Sequence, residues 1–140
     1  MPITHADFLD VARKSLDNSG EQWVRNSISR AYYCMFHTAL QLSDGFIPEV
    51  DKSGSLLSGG THKRFADYLC DGQAAATYSL DCVELKKIGL KLRTAHHRRV
   101  LADYKLTRKI NKIDAISTMQ DAEELGDKVI ELLSVKKSVG

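Results

Sequence analysis

The chain has 140 residues, 43% hydrophobic and 27% charged, with a formal net charge of +2 at pH 7. One soluble folded domain over 1–140 is expected, and the composition excludes a disordered tail or a fibrous repeat. No apolar run reaches the roughly 18–20 residues of a membrane span, and Met1 to Asp10 has neither the basic start nor the apolar core of a signal peptide.

Helical signals follow one another along the chain. Thr4-His-Ala-Asp7 has the form of a capping box, an acid three residues after a threonine. Phe8, Leu9, Ala12 and Leu16 then recur at helical spacing until Asn18-Ser19-Gly20 stops the segment. A second helix is predicted over 21–43, closing at Asp44-Gly45. Val24, Ile28, Ala31, Tyr32, Met35, Phe36, Ala39 and Leu42 cover so much of its circumference that it should be the central, most buried helix.

Residues 45–60, rich in Gly and Ser with one Pro, read as a loop, and a short helix over 61–70 breaks at Asp71-Gly72. Asp81-Cys-Val-Glu84 is the next cap, opening a helix with Leu85, Ile88, Leu92 and Ala95 on one side and a frayed end near Ala102-Asp103-Tyr104. Over 105–116, Ile110, Ile113 and Ile116 repeat every three residues, and the state of this stretch stays open. Ser117-Thr-Met-Gln120 reads as the capping box of a last helix, with Ala122, Leu125, Val129 and Leu132 on its face. Lys136 and Lys137 sit at its C-terminal end, where cations suit the dipole. Prolines occur only at positions 2 and 48. The architecture predicted is a compact all-α bundle.

The net charge conceals an uneven distribution: −2 over residues 1–90, +7 over 91–112 and −3 over 113–140. A basic segment between acidic ones is the pattern of a phosphate-binding surface, and equally of a solvated face with Lys and Arg stems. The three cysteines, Cys34, Cys70 and Cys82, are widely spaced and odd in number. They fit a reducing, cytoplasmic setting better than a disulfide framework, and they lack C-x-x-C zinc spacing. His96 and His97 are adjacent, so on a helix they point about 100° apart and do not share a metal ion. No metal and no other cofactor is expected.

Two constellations carry chemistry. In Ser29-Arg-Ala-Tyr-Tyr-Cys-Met-Phe-His37, the seven-residue separation puts Arg30 and His37 about 20° apart on one helix face, with Tyr33 between them. Such groups are costly to bury without a purpose or a partner. The plain alternative is an acid of a neighbouring helix for the arginine and a backbone carbonyl for the histidine. In Arg93-Thr-Ala-His-His-Arg-Arg-Val-Leu-Ala-Asp-Tyr104, Arg93, His97 and Tyr104 cluster on one side, while Arg99 and Asp103 are four apart and can pair. Histidine can move the proton of a 2′-hydroxyl near neutral pH, and arginine can hold the charge developing on phosphate. His37 and His97 are the candidates for that transfer, because each shares a face with an arginine, Arg30 and Arg93 respectively. Lys105 and Arg108 extend the basic surface.

S-R-A-Y-Y-C-M-F-H on a second helix, a later helix ending R-x3-A-D-Y, and a closing amphipathic helix together resemble the HEPN superfamily, most closely its small stand-alone prokaryotic members. The resemblance runs from about Phe8 to Leu133. It implies a four- to five-helix up-and-down bundle that forms a homodimer and is directed at RNA or a nucleotide in a toxin–antitoxin or defence system, beside a nucleotidyltransferase antitoxin. Many such proteins are metal-independent endoribonucleases. On that reading Arg30, His37, His97 and Arg98 are catalytic, and Arg93, Arg99, Tyr104, Lys105 and Arg108 bind nucleic acid. Active members carry R-x4–6-H at the end of the helix corresponding to 93–104; here Arg98 stands in the arginine place and Asp103 in the histidine place. A non-catalytic module that presents the same basic helix to a nucleotide or a partner protein is the alternative.

Overall fold

Helical periodicity and the cap residues translate directly into the observed elements. The computed structural model describes residues 3–139, with the side chains of the last helix described up to Val135. It contains α1 (His5–Ser15), α2 (Glu21–Leu40), α3 (Thr61–Cys70), α4 (Gln73–Tyr78), α5 (Cys82–Tyr104) and α6 (Lys112–Val139). A 3-10 turn, Gln41–Ser43, prolongs α2. Among the described residues there is no β-strand, only an isolated antiparallel bridge between Val50 and Leu56. None of these helices is long and apolar enough to cross a membrane.

The wide apolar circumference of α2 makes it the hub. It packs against α1, α5 and α6, while α3 packs on α5. Ile28, Ala31, Tyr32, Met35, Phe36, Ala39 and Leu42 are all buried, and Val24 is half-buried. Each fully buried Ile, Leu, Met or Phe stabilises by about 1.5–3 kcal/mol. Leu85, Ile88, Leu92 and Ala95 of α5 and Ala122, Leu125, Val129 and Leu132 of α6 complete this core, as their spacing predicts. A smaller core of Ile28, Ala102, Ile110 and Ala115 closes one end.

Local chemistry sets the boundaries. The Thr4 N–H donates to the Asp7 carboxylate at 2.7 Å, and the Asp81 carboxylate accepts from the Glu84 N–H at 2.9 Å. Gly20, at φ 115°, starts α2 in a conformation that residues with a Cβ rarely adopt. Gly89 lets α3 and α5 approach closely: a Cβ there would meet Cys70 Sγ at 2.5 Å and the Ala66 carbonyl at 3.1 Å.

Two expectations are corrected. The last helix begins at Lys112, where the Asp114 N–H donates to the Asn111 carbonyl at 3.0 Å, and not at Ser117. Ser117 and Gln120, the two ends of the expected capping box, both lie inside that helix; the neighbouring Thr118 is wholly buried, its hydroxyl donating to the Asp114 carbonyl at 2.7 Å. The short α4 is additional to the helices expected. Lys136 and Lys137 have side chains outside the described residues.

An arginine fixes the segment between α5 and α6. Arg25 is 9% exposed. Its Nε donates to Glu21, its Nη1 to the carbonyls of Ala102 at 2.8 Å and Lys105 at 3.3 Å, and its Nη2 to the carbonyl of Arg108. Glu21 accepts in turn from the Ile110 N–H at 3.1 Å. The guanidinium thus satisfies carbonyls at the end of α5 that have no partner within the helix. That clasp sets the path of the loop carrying Lys105 and Arg108.

Candidate functional site

The seven-residue spacing of Arg30 and His37 does place them on one face of α2, and α1 and α5 complete the cluster. The guanidinium of Arg30 lies 5.8 Å from the Phe8 ring centroid and 5.0 Å from that of Tyr33. Arg99 lies 5.3 Å from Tyr33 and 5.4 Å from Tyr104. His37, exposed, stacks on Phe8 with centroids 5.3 Å apart and planes 9° apart. The result is a ladder of His37, Phe8, Arg30, Tyr33, Arg99 and Tyr104. Each cation–π contact contributes on the order of 0.5–1 kcal/mol where exposed and more where desolvated.

A polar chain ties the two arginines together. Arg30 Nη2 donates to Ser29 Oγ at 3.2 Å, and Ser29 Oγ donates to the Asp103 carboxylate at 3.1 Å. Arg99 Nε donates to the same carboxylate at 2.9 Å, and its Nη2 to the Tyr33 hydroxyl at 2.8 Å. The pairing of Arg99 with Asp103 is the one their four-residue spacing predicts. Asp103 therefore serves as a tether and partial neutraliser of Arg99. Arg30 Nε is buried without a hydrogen-bond partner among the described residues.

Behind the ladder lie two histidines. His62, from α3, and His96, from α5, stack at 4.9 Å with planes 19° apart, and the Tyr32 hydroxyl lies 2.5 Å from His62 Nδ1. Burial, then the neighbouring His96, Arg99 and His37, push the His62 pKa down to about 4. Burial and Arg99 lower that of His96 as well. Burial also raises the Tyr32 phenol above its ordinary range, so it stays protonated. Both rings line an open groove of about 520 Å³ together with Lys63, Ala66, Asp67, Leu92 and Arg93.

The remaining candidates are dispersed. Arg98 turns toward α6, with Nη1 3.3 Å from Thr118 Oγ1 and 3.5 Å from Asp121. Arg93 binds Asp67 of α3 at 2.6 Å, and His97 is exposed. Arg30 and His37 thus share a site with Arg99 and Tyr104, while Arg98 belongs to the α5–α6 contact. Of the basic segment, Lys91, Arg93, Arg98 and Arg99 each face a carboxylate. Lys105, Arg108, Lys109 and Lys112 lie exposed. His62 is the functional candidate that sequence reasoning missed: a lone histidine on a short helix has no periodic signal, and only the docking of α3 on α5 brings it to His96. Among the described residues no three His, Cys, Asp or Glu side chains gather to hold a metal ion.

Chemically, the cluster offers two guanidiniums for an oxyanion, an exposed imidazole for proton transfer and aromatic faces for stacking. Comparison of the chain with known protein families, with curated proteins and with solved structures finds no match.

Proposed function

We propose that this all-helical protein is a HEPN-like module directed at RNA or a nucleotide, acting in a toxin–antitoxin or defence setting with a nucleotidyltransferase as partner and with a homodimer as the working unit. The observation that carries the reading is the ladder, in which Arg30 and Arg99 from two helices flank one tyrosine with exposed His37 and Tyr104 at its ends. Guanidiniums so placed serve phosphate, and Tyr104, 64% exposed, serves an unpaired base by stacking. Lys105 and Arg108 continue the positive surface beyond it. In the catalytic form of this reading, His37 takes the proton of the 2′-hydroxyl as its oxygen bonds to phosphorus, and Arg30 holds the phosphate as it gains charge and closes to a 2′,3′-cyclic phosphate. The P–O5′ bond breaks and the 5′-oxygen leaves with a proton from water, with no metal ion taking part.

Binding without cleavage is the second reading, and Asp103 favours it. Its carboxylate already sits on Arg99, so a phosphate there competes with an internal anion. RNA incubated with the protein in EDTA separates the two. Cleavage abolished by His37→Ala, with helical circular dichroism intact, supports catalysis. Binding that persists without cleavage, and weakens in Arg30→Ala and Arg99→Ala, supports the binding module. Absence of both binding and cleavage refutes the proposal.

A further inference from the structure

One end of the bundle carries positive charge that no carboxylate of the molecule matches. Lys105, Arg108, Lys109 and Lys112 are all exposed, and none of them forms an ion pair among the described residues. Elsewhere cations are matched: Lys63 and Arg93 share Asp67, Lys91 bonds Glu124, and Arg13 bonds Glu123. Two acids at this end are already engaged, Asp103 by Arg99 and Glu21 by Arg25. Among the unpaired cations stand two aliphatic side chains, Leu106 at 75% and Ile113 at 64% exposure. The loop is not free to fold back over them, because Arg25 holds the carbonyls of Lys105 and Arg108 and the Ile110 side chain is buried. RNA binding makes no use of aliphatic tips held in water: phosphates take the cations, and bases stack on aromatic faces.

We propose that this tip, residues 105–113, docks on the surface of an anionic lipid bilayer. The four cations meet the headgroup phosphates, and Leu106 and Ile113 enter the boundary between headgroups and acyl chains. Each basic residue near such a surface contributes about fivefold in partitioning. Each aliphatic side chain that leaves water adds about tenfold. The two effects reinforce one another, since the lysine stems lie along the apolar boundary while their ammonium groups stay among the headgroups. Attachment of this kind is peripheral and salt-sensitive, and it needs no spanning helix.

The test sediments the full chain with vesicles of equal parts phosphatidylglycerol and phosphatidylcholine, and with vesicles of phosphatidylcholine alone. The anionic vesicles should bind the protein at least about tenfold more tightly, and the difference should shrink as salt is raised. Lys109→Gln with Lys112→Gln should weaken that binding by roughly 25-fold. Leu106→Ser with Ile113→Ser should weaken it by at least about tenfold while RNA affinity stays unchanged. All four side chains are exposed, so circular dichroism should not change in either variant. Nitroxide-labelled lipid should broaden the methyl NMR signals of Leu106 and Ile113 and spare those of Leu85 and Leu125 in the core. Failure to bind anionic vesicles at low salt overturns the proposal, as does a Leu106 and Ile113 variant that binds them as well as the parent. An equal loss of RNA affinity in that variant also overturns it, because the tip would then belong to the nucleic acid. Vesicle binding by a protein that neither binds nor cuts RNA leaves this inference standing when the RNA reading falls.

Discussion

Arg25→Met tests whether one buried side chain holds the end of α5 and the loop after it. Methionine keeps the length and the apolar stem but offers no donor. The substitution removes the bonds to Ala102 and Arg108 and the weaker one to Lys105, leaving their carbonyls to find water in a nearly closed site. Hydrogen bonds from a charged donor are each worth about 1.5–3 kcal/mol, and they are not additive. The Glu21 carboxylate is partly open to solvent and rehydrates, which lessens the loss. We expect a net destabilisation of about 3 kcal/mol, or roughly 8–12 °C in Tm for a chain of this length. Urea unfolding followed by circular dichroism measures it. Arg25→Lys, which keeps the charge and loses the fork, should recover no more than about half. A loss below about 1 kcal/mol in Arg25→Met would refute the clasp, because it would mean that water serves those carbonyls as well.

Other consequences are open to equally direct checks. Between pH 6.5 and 4 the unfolded chain takes up a proton that folded His62 refuses, so stability present above pH 6.5 should fall as the solution is acidified. The loss should be about 1–2 kcal/mol after screening, and His62→Phe should flatten the pH profile of urea midpoints. Gly89→Ala should destabilise by about 1–2 kcal/mol, since the overpacking against Cys70 and Ala66 outweighs the gain in helix propensity. Arg30→Ala with Arg99→Ala should flatten the log–log salt dependence of RNA binding by roughly one to two units. Arg98→Ala, whose guanidinium is turned to Thr118 and Asp121, should leave that slope unchanged in the same fluorescence titrations.

The helices were legible wherever a stop signal and a strong period coincided, as at Asn18-Ser19-Gly20 and at Asp71-Gly72. The start of α6 was not, because Ile110, Ile113 and Ile116 fit helix and loop alike, and because Ser117-Thr-Met-Gln120 inside a helix carries the same letters as a capping box. α4 is six residues long, too short for a period to show, and it ends at Ser79 in a left-handed conformation that its residue type does not announce. Within the site, the pairing of Arg30 with His37 came from spacing alone. Choosing between Arg98 and Arg99 did not, since neighbours on a helix face about 100° apart and the answer depends on which side α2 and α6 lie. His62 reaches His96 across 34 residues of sequence, and no local pattern encodes a meeting of that range.

The double engagement of Asp67 makes the α3–α5 groove an exchange site for charge. Lys63 and Arg93 are already held by a carboxylate, so an arriving phosphate competes with Asp67 for partners that are occupied. Its affinity then reflects the difference between two anions on the same cations, which is smaller than the attraction of either alone. Asp67→Asn would remove that competitor and leave Lys63 and Arg93 open to any anion. The same carboxylate crosslinks α3 to α5, so a ligand that displaces it exchanges one link between the helices for another.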